Sequence, residues 1–418
     1  MNVKKYLLVF LTAAFFLTPH AARAQTAWTG MVSFNFDDGH KSVYENALPV
    51  FNKYKVLGSI FPVVGAIENQ EDWIVTWPQL VEFQEAGWEI GSHTMTHSHL
   101  TTLSAAQVDY ELKESQTILA AHGITAKTLV FPYNEYNSLV LDYTTRYYKN
   151  SRTSGGPNGF DCNRYLIVCK EVRAATKPEE AIAWIREAVR QKRWLVLMLH
   201  EIVTGPPSDY QYNVADLEKI VAYVAAHKIP APTIQQAMAR RQADLGPNLI
   251  KNPNLEDVEP SGWASNWSRN HADQVSLAPT TVARVFSSKN RLKIVGSPQK
   301  NIASTSIIKL PRNRKRYVFS FFTEVTNTGQ NSGAEIYLDE FDLHDQWLGG
   351  QWLGGFYDDT FGMPGYLYQP SSHQVRKVMI DIYTIPGANI TFLGDNFYFG
   401  FIKRRKHLSP MINFLLKN

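Results

Sequence analysis

Continuous apolar runs alternate with amphipathic stretches through the first half of this 418-residue chain, and that alternation narrows the fold more than any other feature. Met31–Phe36, Ser59–Val64, Trp88–Ile90, Thr128–Phe131 and Trp194–Leu199 read as strands buried on both faces. Between them, Trp77–Ala86, Ser104–His122, Pro178–Gln191 and Val214–His227 carry helical spacing. Ser104 and Lys177-Pro178 are suitable helix openings, and Gly87 and Gly123 fall where helices should stop. Strands and helices in turn from Met31 to about Leu245 predict a parallel α/β architecture, either an open sheet or a barrel.

The texture changes near Gly246-Pro247. Helical periodicity stops, and short alternating runs take over: Leu292–Val295, Tyr317–Phe322, Ala334–Leu338, Lys377–Ile382 and Asn396–Phe401. Turn residues separate them, which predicts an antiparallel β-sandwich. A tandem repeat, Gln346-Trp347-Leu348-Gly349-Gly350 followed by Gln351-Trp352-Leu353-Gly354-Gly355, stands out here. Five is an odd offset, so a regular strand sends the two tryptophans to opposite faces, whereas a bend at the glycines can bring them together. The expected organisation is a leader over residues 1–24, an α/β unit over 25–245, a β-sandwich over 246–402 and a basic tail over 403–418.

The leader rests on Lys4 and Lys5, the apolar run Tyr6–Leu17 and the small-residue end Ala22-Arg23-Ala24. That is the pattern of a secretory signal, cleaved before Gln25, with an apolar run too short for a comfortable bilayer span. Later residues contain no run long enough for one, so a secreted, periplasmic or cell-envelope protein without a membrane span is expected. The leader holds three of the 42 basic residues and none of the 38 acidic ones, which leaves the mature chain near +1. Charge therefore gives no support to nucleic acid as a partner. Cys162 and Cys169 are the two cysteines, and in an oxidising compartment their closeness predicts a disulfide that staples a loop.

Three segments at strand ends carry the chemistry. The first strand runs into Asp37-Asp38-Gly39-His40, at the carboxyl edge where parallel α/β folds gather their active sites. Adjacent acids cannot be the facing carboxylates of a glycosidase, which flank one bond at about 5 Å or more. One acid binding a metal while its neighbour handles a proton suits such a pair better. Next comes Gly91-Ser92-His93-Thr94-Met95-Thr96-His97, in which two histidines four apart can converge on one ion. Two histidines and a carboxylate leave coordination positions open, which is the catalytic pattern. His99 reads as a polar loop residue. The strand Leu197-Met198-Leu199 then releases His200, a proton donor if it meets the other two segments.

These residues resemble the motifs of NodB-type polysaccharide deacetylases: Phe36-Asp37-Asp38-Gly39, His93-Thr94-Met95-Thr96-His97, Phe131-Pro132-Tyr133 and Leu197-Met198-Leu199-His200, in that order, over about residues 30–240. The resemblance implies a distorted (β/α) barrel, with Asp37 as general base and Asp38, His93 and His97 as ligands of a divalent metal, Zn2+ first among them. It implies His200 as general acid, an oxyanion contact from the main-chain amide of Tyr133, and an acetylated polysaccharide or oligosaccharide as substrate. Two positions depart from the pattern. Val130 stands where many relatives carry the arginine that orients the base, so either activity is reduced or Arg173, Arg152 or Arg164 supplies it, Arg173 being the assignment carried forward. Asn134 stands where a glycine usually follows the tyrosine.

More weakly, Asn248–Glu256 and Gly394–Phe399 are similar to the first and last strands of jelly-roll carbohydrate-binding modules. Trp263, Trp267, Trp347, Trp352, Tyr366 and Tyr368 are the aromatics that either stack on sugars or fill the sandwich core. The resulting expectation is hydrolysis of N-acetyl groups on an amino-sugar polysaccharide. The alternatives are an O-acetyl esterase on the same fold and an inactive polysaccharide-binding protein. Deleting residues 248–418 is expected to spare activity on small oligosaccharides and weaken it on polymer.

Overall fold

The structure, a computed structural model, describes residues 28–280, 288–311, 315–327, 333–387 and 389–403. The expected leader and the tail beyond Lys403 lie outside the described residues. The first half runs β1 (Met31–Phe36), α1 (Leu48–Tyr54), β2 (Ser59–Ile60), α2 (Val64–Glu68), α3 (Trp77–Glu85), β3 (Glu89–Ile90), α4 (Ala105–Ala121), β4 (Thr128–Val130), α5 (Ser138–Tyr147), β5 (Asn150–Ser154), β6 (Ile167–Glu171), α6 (Pro178–Arg190) and β7 (Trp194–Leu199). A short ribbon, β8 (Glu201–Val203) and β9 (Gln211–Asn213), then leads into α7 (Val214–Ala226) and α8 (Ile234–Asp244).

The seven long-axis strands form one parallel sheet in the order β3-β2-β1-β7-β6-β5-β4. Its two edges meet, because Ser92, just past β3, bridges Leu129 of β4 through Ser92 N–H to Thr128 O (3.0 Å) and Val130 N–H to Ser92 O (2.9 Å). This is the expected distorted barrel. Every residue of β1 and β7 is buried, which explains why their sequences are unbroken apolar runs rather than alternating ones. Helices begin where the sequence caps them: Thr76 with Gln79, Ser104 with Gln107 and Thr233 with Gln236 each form a reciprocal capping box. Phe34, Phe36, Phe51, Phe83 and Trp88 fill the space between sheet and helices, with Phe36 and Trp88 stacked at 5.5 Å.

In the second half the strands are β10 (Trp267–Arg269), β11 (Val275–Pro279), β12 (Asn290–Val295), β13 (Ile302–Thr305), β14 (Ile308–Lys309), β15 (Tyr317–Asn327), β16 (Ala334–Phe341), β17 (Trp347–Phe356), β18 (Thr360–Gly362), β19 (Gly365–Tyr368), β20 (Lys377–Thr384) and β21 (Ile390–Phe401). They make two antiparallel sheets. One has the order β10-β13-β20-β16-β17 with β14 beside β20, and the other β11-β12-β21-β15-β18 with β19 beside β15. Phe319, Phe321, Phe397 and Phe399 of the second sheet bury against Ile336, Leu338, Ile380 and Ile382 of the first. Trp263, Trp267 and Tyr368 are buried in this core and Tyr366 packs against it, so these four are packing residues and not sugar platforms.

Phe322 and Phe361, on β15 and β18, turn the other way and join the core of the barrel half. Asn163 accepts the Met363 N–H at 3.2 Å across the same boundary. Burial of each phenylalanine is worth about 1.5–3 kcal/mol. The deletion considered from sequence is therefore not neutral: a chain ending near Pro247 should expose this apolar seam and precipitate, which a solubility assay on residues 25–247 checks.

The disulfide expected between Cys162 and Cys169 is absent; both are free thiols. Cys169 sits on β6, and the strand's alternation turns its side chain into the barrel, where Sγ meets the Arg152 guanidinium and lies 3.7 Å from Met198 Sδ. Burial pushes the Cys169 thiol up to about 11.

Candidate functional site

The carboxyl ends of β1, β3, β4, β5 and β7 converge on one patch. Asp37 leaves β1 with its N–H bonded to Leu199 O (2.9 Å), so Asp37 and His200 depart from neighbouring strand ends. Asp38 turns away at φ 65°, which places the two carboxyl groups of an adjacent pair in different surroundings. Asp37 is buried. One of its carboxylate oxygens, Oδ2, accepts from Arg152 Nη2, and the other, Oδ1, is buried without a partner.

Asp38 faces the histidines. Its Oδ1 lies 3.4 Å from His93 Nε2 and 3.4 Å from His97 Nε2, and its Oδ2 lies 3.4 Å from His40 Nε2. One donor atom from each of Asp38, His93 and His97 falls within 4.8 Å of the others, the spacing of atoms that share an ion. The chemistry of the donors fits as well. His93 Nδ1 lies 2.9 Å from Val130 O, so that nitrogen keeps its hydrogen and Nε2, which faces Asp38, is the one that would give its lone pair to an ion. Burial alone would raise the Asp38 carboxyl, but hydrogen bonds from His40 and His93 overcome it and hold the group well below the usual carboxylate range. Burial, reinforced by the nearby His93, pulls His97 down to about 4, leaving a neutral imidazole at ordinary pH. His93 is pulled down by burial, but its bond to Asp38 and the charges of Asp37 and Asp38 outweigh that and raise it.

The segment carrying both histidines holds left-handed backbone at Thr94 (φ 68°) and His97 (φ 59°). Glu111 of α4 fixes it, accepting from Met95 N (2.9 Å), Thr96 N (2.8 Å) and the Thr96 hydroxyl. Glu111 is buried in the helix stripe of Val108, Leu112, Ser115 and Leu119. A lone acid in an apolar stripe was the legible signal for it, and the sequence reading passed over it. Glu111→Ala should leave the fold intact and lower metal affinity about 10–100-fold, the usual cost of losing a group that orients ligands, as titration with zinc will measure.

Arg152, and not Arg173, holds Asp37. Val130 and Arg152 are register partners on β4 and β5, so the guanidinium reaches Asp37 from the strand beside Val130. Arg152 is fully buried, and its Nη1 also lies 3.5 Å from Asn134 Oδ1. Arg173 instead bonds Glu171 (2.7 Å), Asp209 (3.1 Å) and the Tyr210 hydroxyl (3.2 Å), and Arg164 bonds Lys149 O and Asn150. Through Tyr210, whose ring meets His200 edge-on at 5.1 Å, Arg173 borders His200 rather than Asp37. His200 Nδ1 is buried without a partner.

Tyr133 and Asn134 take φ of 55° and 59° in succession. The position after Tyr133 thus needs left-handed backbone, which glycine takes freely and asparagine tolerates better than most residues, and this accounts for Asn134. The Tyr133 ring stands exposed over the site, edge-on to His97 at 4.7 Å and stacked on His99 at 3.7 Å. His99 is held by Glu135 at 3.1 Å and lies outside the Asp38, His93 and His97 group, as its reading as a loop residue implied. A groove of about 410 Å³ opens beside Asp38 and His97, walled by His40, Asn69, Glu71 and Trp73. No helix among the described residues is long and apolar enough to cross a membrane.

Residues 24–148 match the family described as polysaccharide deacetylase. The poly-beta-1,6-N-acetyl-D-glucosamine N-deacetylase of Staphylococcus aureus is 30% identical over 119 residues, covering 25% of this chain and 41% of that one. YxkH of Bacillus subtilis is 28% identical over 139 residues, covering 32% and 49%. The chain thus spans less than half the length of these relatives. A family 4 carbohydrate esterase from Streptomyces lividans aligns at 21% identity over 48% of this chain and 91% of that one, with a TM-score of 0.36. Motifs, strand ends and matched segment agree: residues 24–148, in the barrel half of this chain, are similar to the polysaccharide deacetylases.

Proposed function

We propose that the chain hydrolyses N-acetyl groups on an exported amino-sugar polysaccharide, with Asp38, His93 and His97 holding a divalent metal, zinc by donor type, and Asp37 and His200 moving protons. The observation that carries this reading is the division of labour between adjacent aspartates. Asp38 faces two imidazole nitrogens, whereas Asp37 has one oxygen fixed by Arg152 and one buried and free. A bound metal ion would supply an activated water and polarise the acetyl carbonyl. The free Oδ1 of Asp37 accepts the proton of the attacking water, while Arg152 keeps the carboxylate turned toward it. The main-chain amide beside Tyr133 donates to the developing oxyanion, a contact worth about 3–4 kcal/mol in other hydrolases. His200 then protonates the departing nitrogen. Trp73 and His40, tilted rings 5.1 Å apart at the groove wall, offer the sugar a surface on which to lie.

The leader-like N-terminus and the S. aureus relative, named as an N-deacetylase of an amino-sugar polymer, support the choice of compartment and bond. Acetate release from matched N-acetylated and O-acetylated oligosaccharides, with zinc and with chelator, tests it. Chelator-sensitive release from the N-acetylated panel is expected. Release from the O-acetylated panel alone makes the protein an esterase, and none from either, with metal bound, makes it a binding protein.

A further inference from the structure

The tandem Gln-Trp-Leu-Gly-Gly repeat forms most of β17, an edge strand paired, among the described residues, only with β16. Trp347 faces Phe341 and Trp352 faces Tyr337, and a register shift between Glu340 and Phe341 absorbs one extra residue of β17. The five-residue offset therefore spans four residues of β16, and both tryptophans fall on the same face. They are 63% and 55% exposed, among the most exposed large apolar side chains described. Four residues of strand put them about 13 Å apart, far enough to lie under several sugar rings.

The repeat's final glycines serve the same face. A Cβ at Gly350 would sit 2.2 Å from the Tyr337 ring, and one at Gly355 would sit 2.7 Å from the Tyr357 hydroxyl. Each repeat thus presents one tryptophan and clears one site over which a tyrosine lies flat.

Carboxylates are set among these rings. Asp339 accepts from Trp347 Nε1 (2.7 Å), and Glu335 accepts from the Tyr357 and Tyr383 hydroxyls (2.6 Å each). Asp381, the register partner of Tyr337, has a buried Oδ1 with no partner. Of the lysines on this face, Lys300 lies over the Tyr383 ring at 3.5 Å and Lys377 pairs with Asp345 at 2.7 Å, while Lys309, the register partner of Lys377, is exposed.

We infer that this face binds a glycan bearing free amines, the partly deacetylated amino-sugar chain that the proposed reaction leaves behind. The inference rests on that reading for the identity of the glycan. Flat sugar faces stack on Trp347 and Trp352, and the ammonium groups meet Asp339 and Asp381. An acidic polymer would be repelled, and a neutral one would gain hydrogen bonds from the carboxylates but no charge attraction. The other sheet of the sandwich lies between this face and the barrel, since its Phe322 and Phe361 pack into the barrel core, so the platform and the catalytic site do not overlap. An enzyme tethered to the amines it has just exposed would stay on a chain it is working along.

Calorimetry with the full mature chain and glucosamine oligomers, their fully N-acetylated counterparts and xylan oligomers tests this. Binding to the glucosamine oligomers, weakened by salt, is expected. Trp352→Ala and Trp347→Ala should each weaken it at least tenfold, and Asp339→Asn with Asp381→Asn should remove the preference over N-acetylated oligomers. Acetate release from a short soluble substrate should not change in the tryptophan variants. Equal binding of amine and acetamide oligomers, no binding to either, or loss on Asp37→Asn but not on Trp352→Ala would overturn the inference. Because the oligomers are supplied already deacetylated, a failed acetate assay leaves this result readable.

Discussion

Asp37→Asn should lower kcat by about 10²–10⁴, the span that positioned proton transfer contributes, while bound zinc and KM stay close to wild type. The substitution is nearly isosteric and keeps an oxygen for Arg152, so the barrel and the Asp38, His93 and His97 group have no reason to move. What is lost is a carboxylate oxygen able to accept a proton at a buried position where nothing else is bonded to it. Single-turnover kinetics with the metal content measured on the same sample separates this from a ligand defect. Substantial remaining turnover would move the base elsewhere, and metal loss would make Asp37 a ligand.

Arg152→Met should cost more than activity. Arg152 and Asp37 are both buried, and removing one partner of such a pair costs about 3–5 kcal/mol because the other charge is stranded. At this chain length a loss of that size lowers Tm by about 4–6 °C. Arg152→Lys separates fold from positioning. It keeps a charge but loses the planar fork that reaches Asp37, Asn134 and the Cys169 sulfur together. The lysine variant should therefore stay folded and retain metal, with kcat down about 100-fold, the scale of a roughly 1 Å misplacement, and KM little changed. A purely structural role for Arg152 predicts a lower Tm in the lysine variant with kcat intact.

Five of the seven barrel strands, β1 to β4 and β7, were legible because burial on both faces makes them continuous apolar runs, and motifs at their ends follow from where such strands stop. β5 and β6 were not legible. Asn150-Ser151-Arg152-Thr153 has no apolar run, yet all four side chains are buried and hydrogen-bonded: Asn150 accepts from Arg164 (3.0 Å), Ser151 donates to Tyr165 O (2.5 Å), Thr153 to Asn134 O (2.8 Å), and Arg152 to Asp37. Polar residues buried by long-range partners leave no periodic trace, so the arginine opposite Val130 stayed one of three candidates. The cysteines misled for a related reason: nearness in sequence says nothing about which way a strand turns a side chain, and β6 turns Cys169 inward. The tandem repeat was legible as a peculiarity, but the shift that puts both tryptophans on one face depends on β16, which pairs with it.

The most direct test of the central claim is to locate the metal, by anomalous diffraction from crystals of the mature chain grown with zinc. One peak is expected about 2.0–2.2 Å from a carboxylate oxygen of Asp38 and from Nε2 of both His93 and His97, with Asp37 outside that distance and still paired to Arg152. A peak that Asp37 or His200 ligates instead, or no peak at this trio under saturating zinc, would contradict the division of roles between the two aspartates.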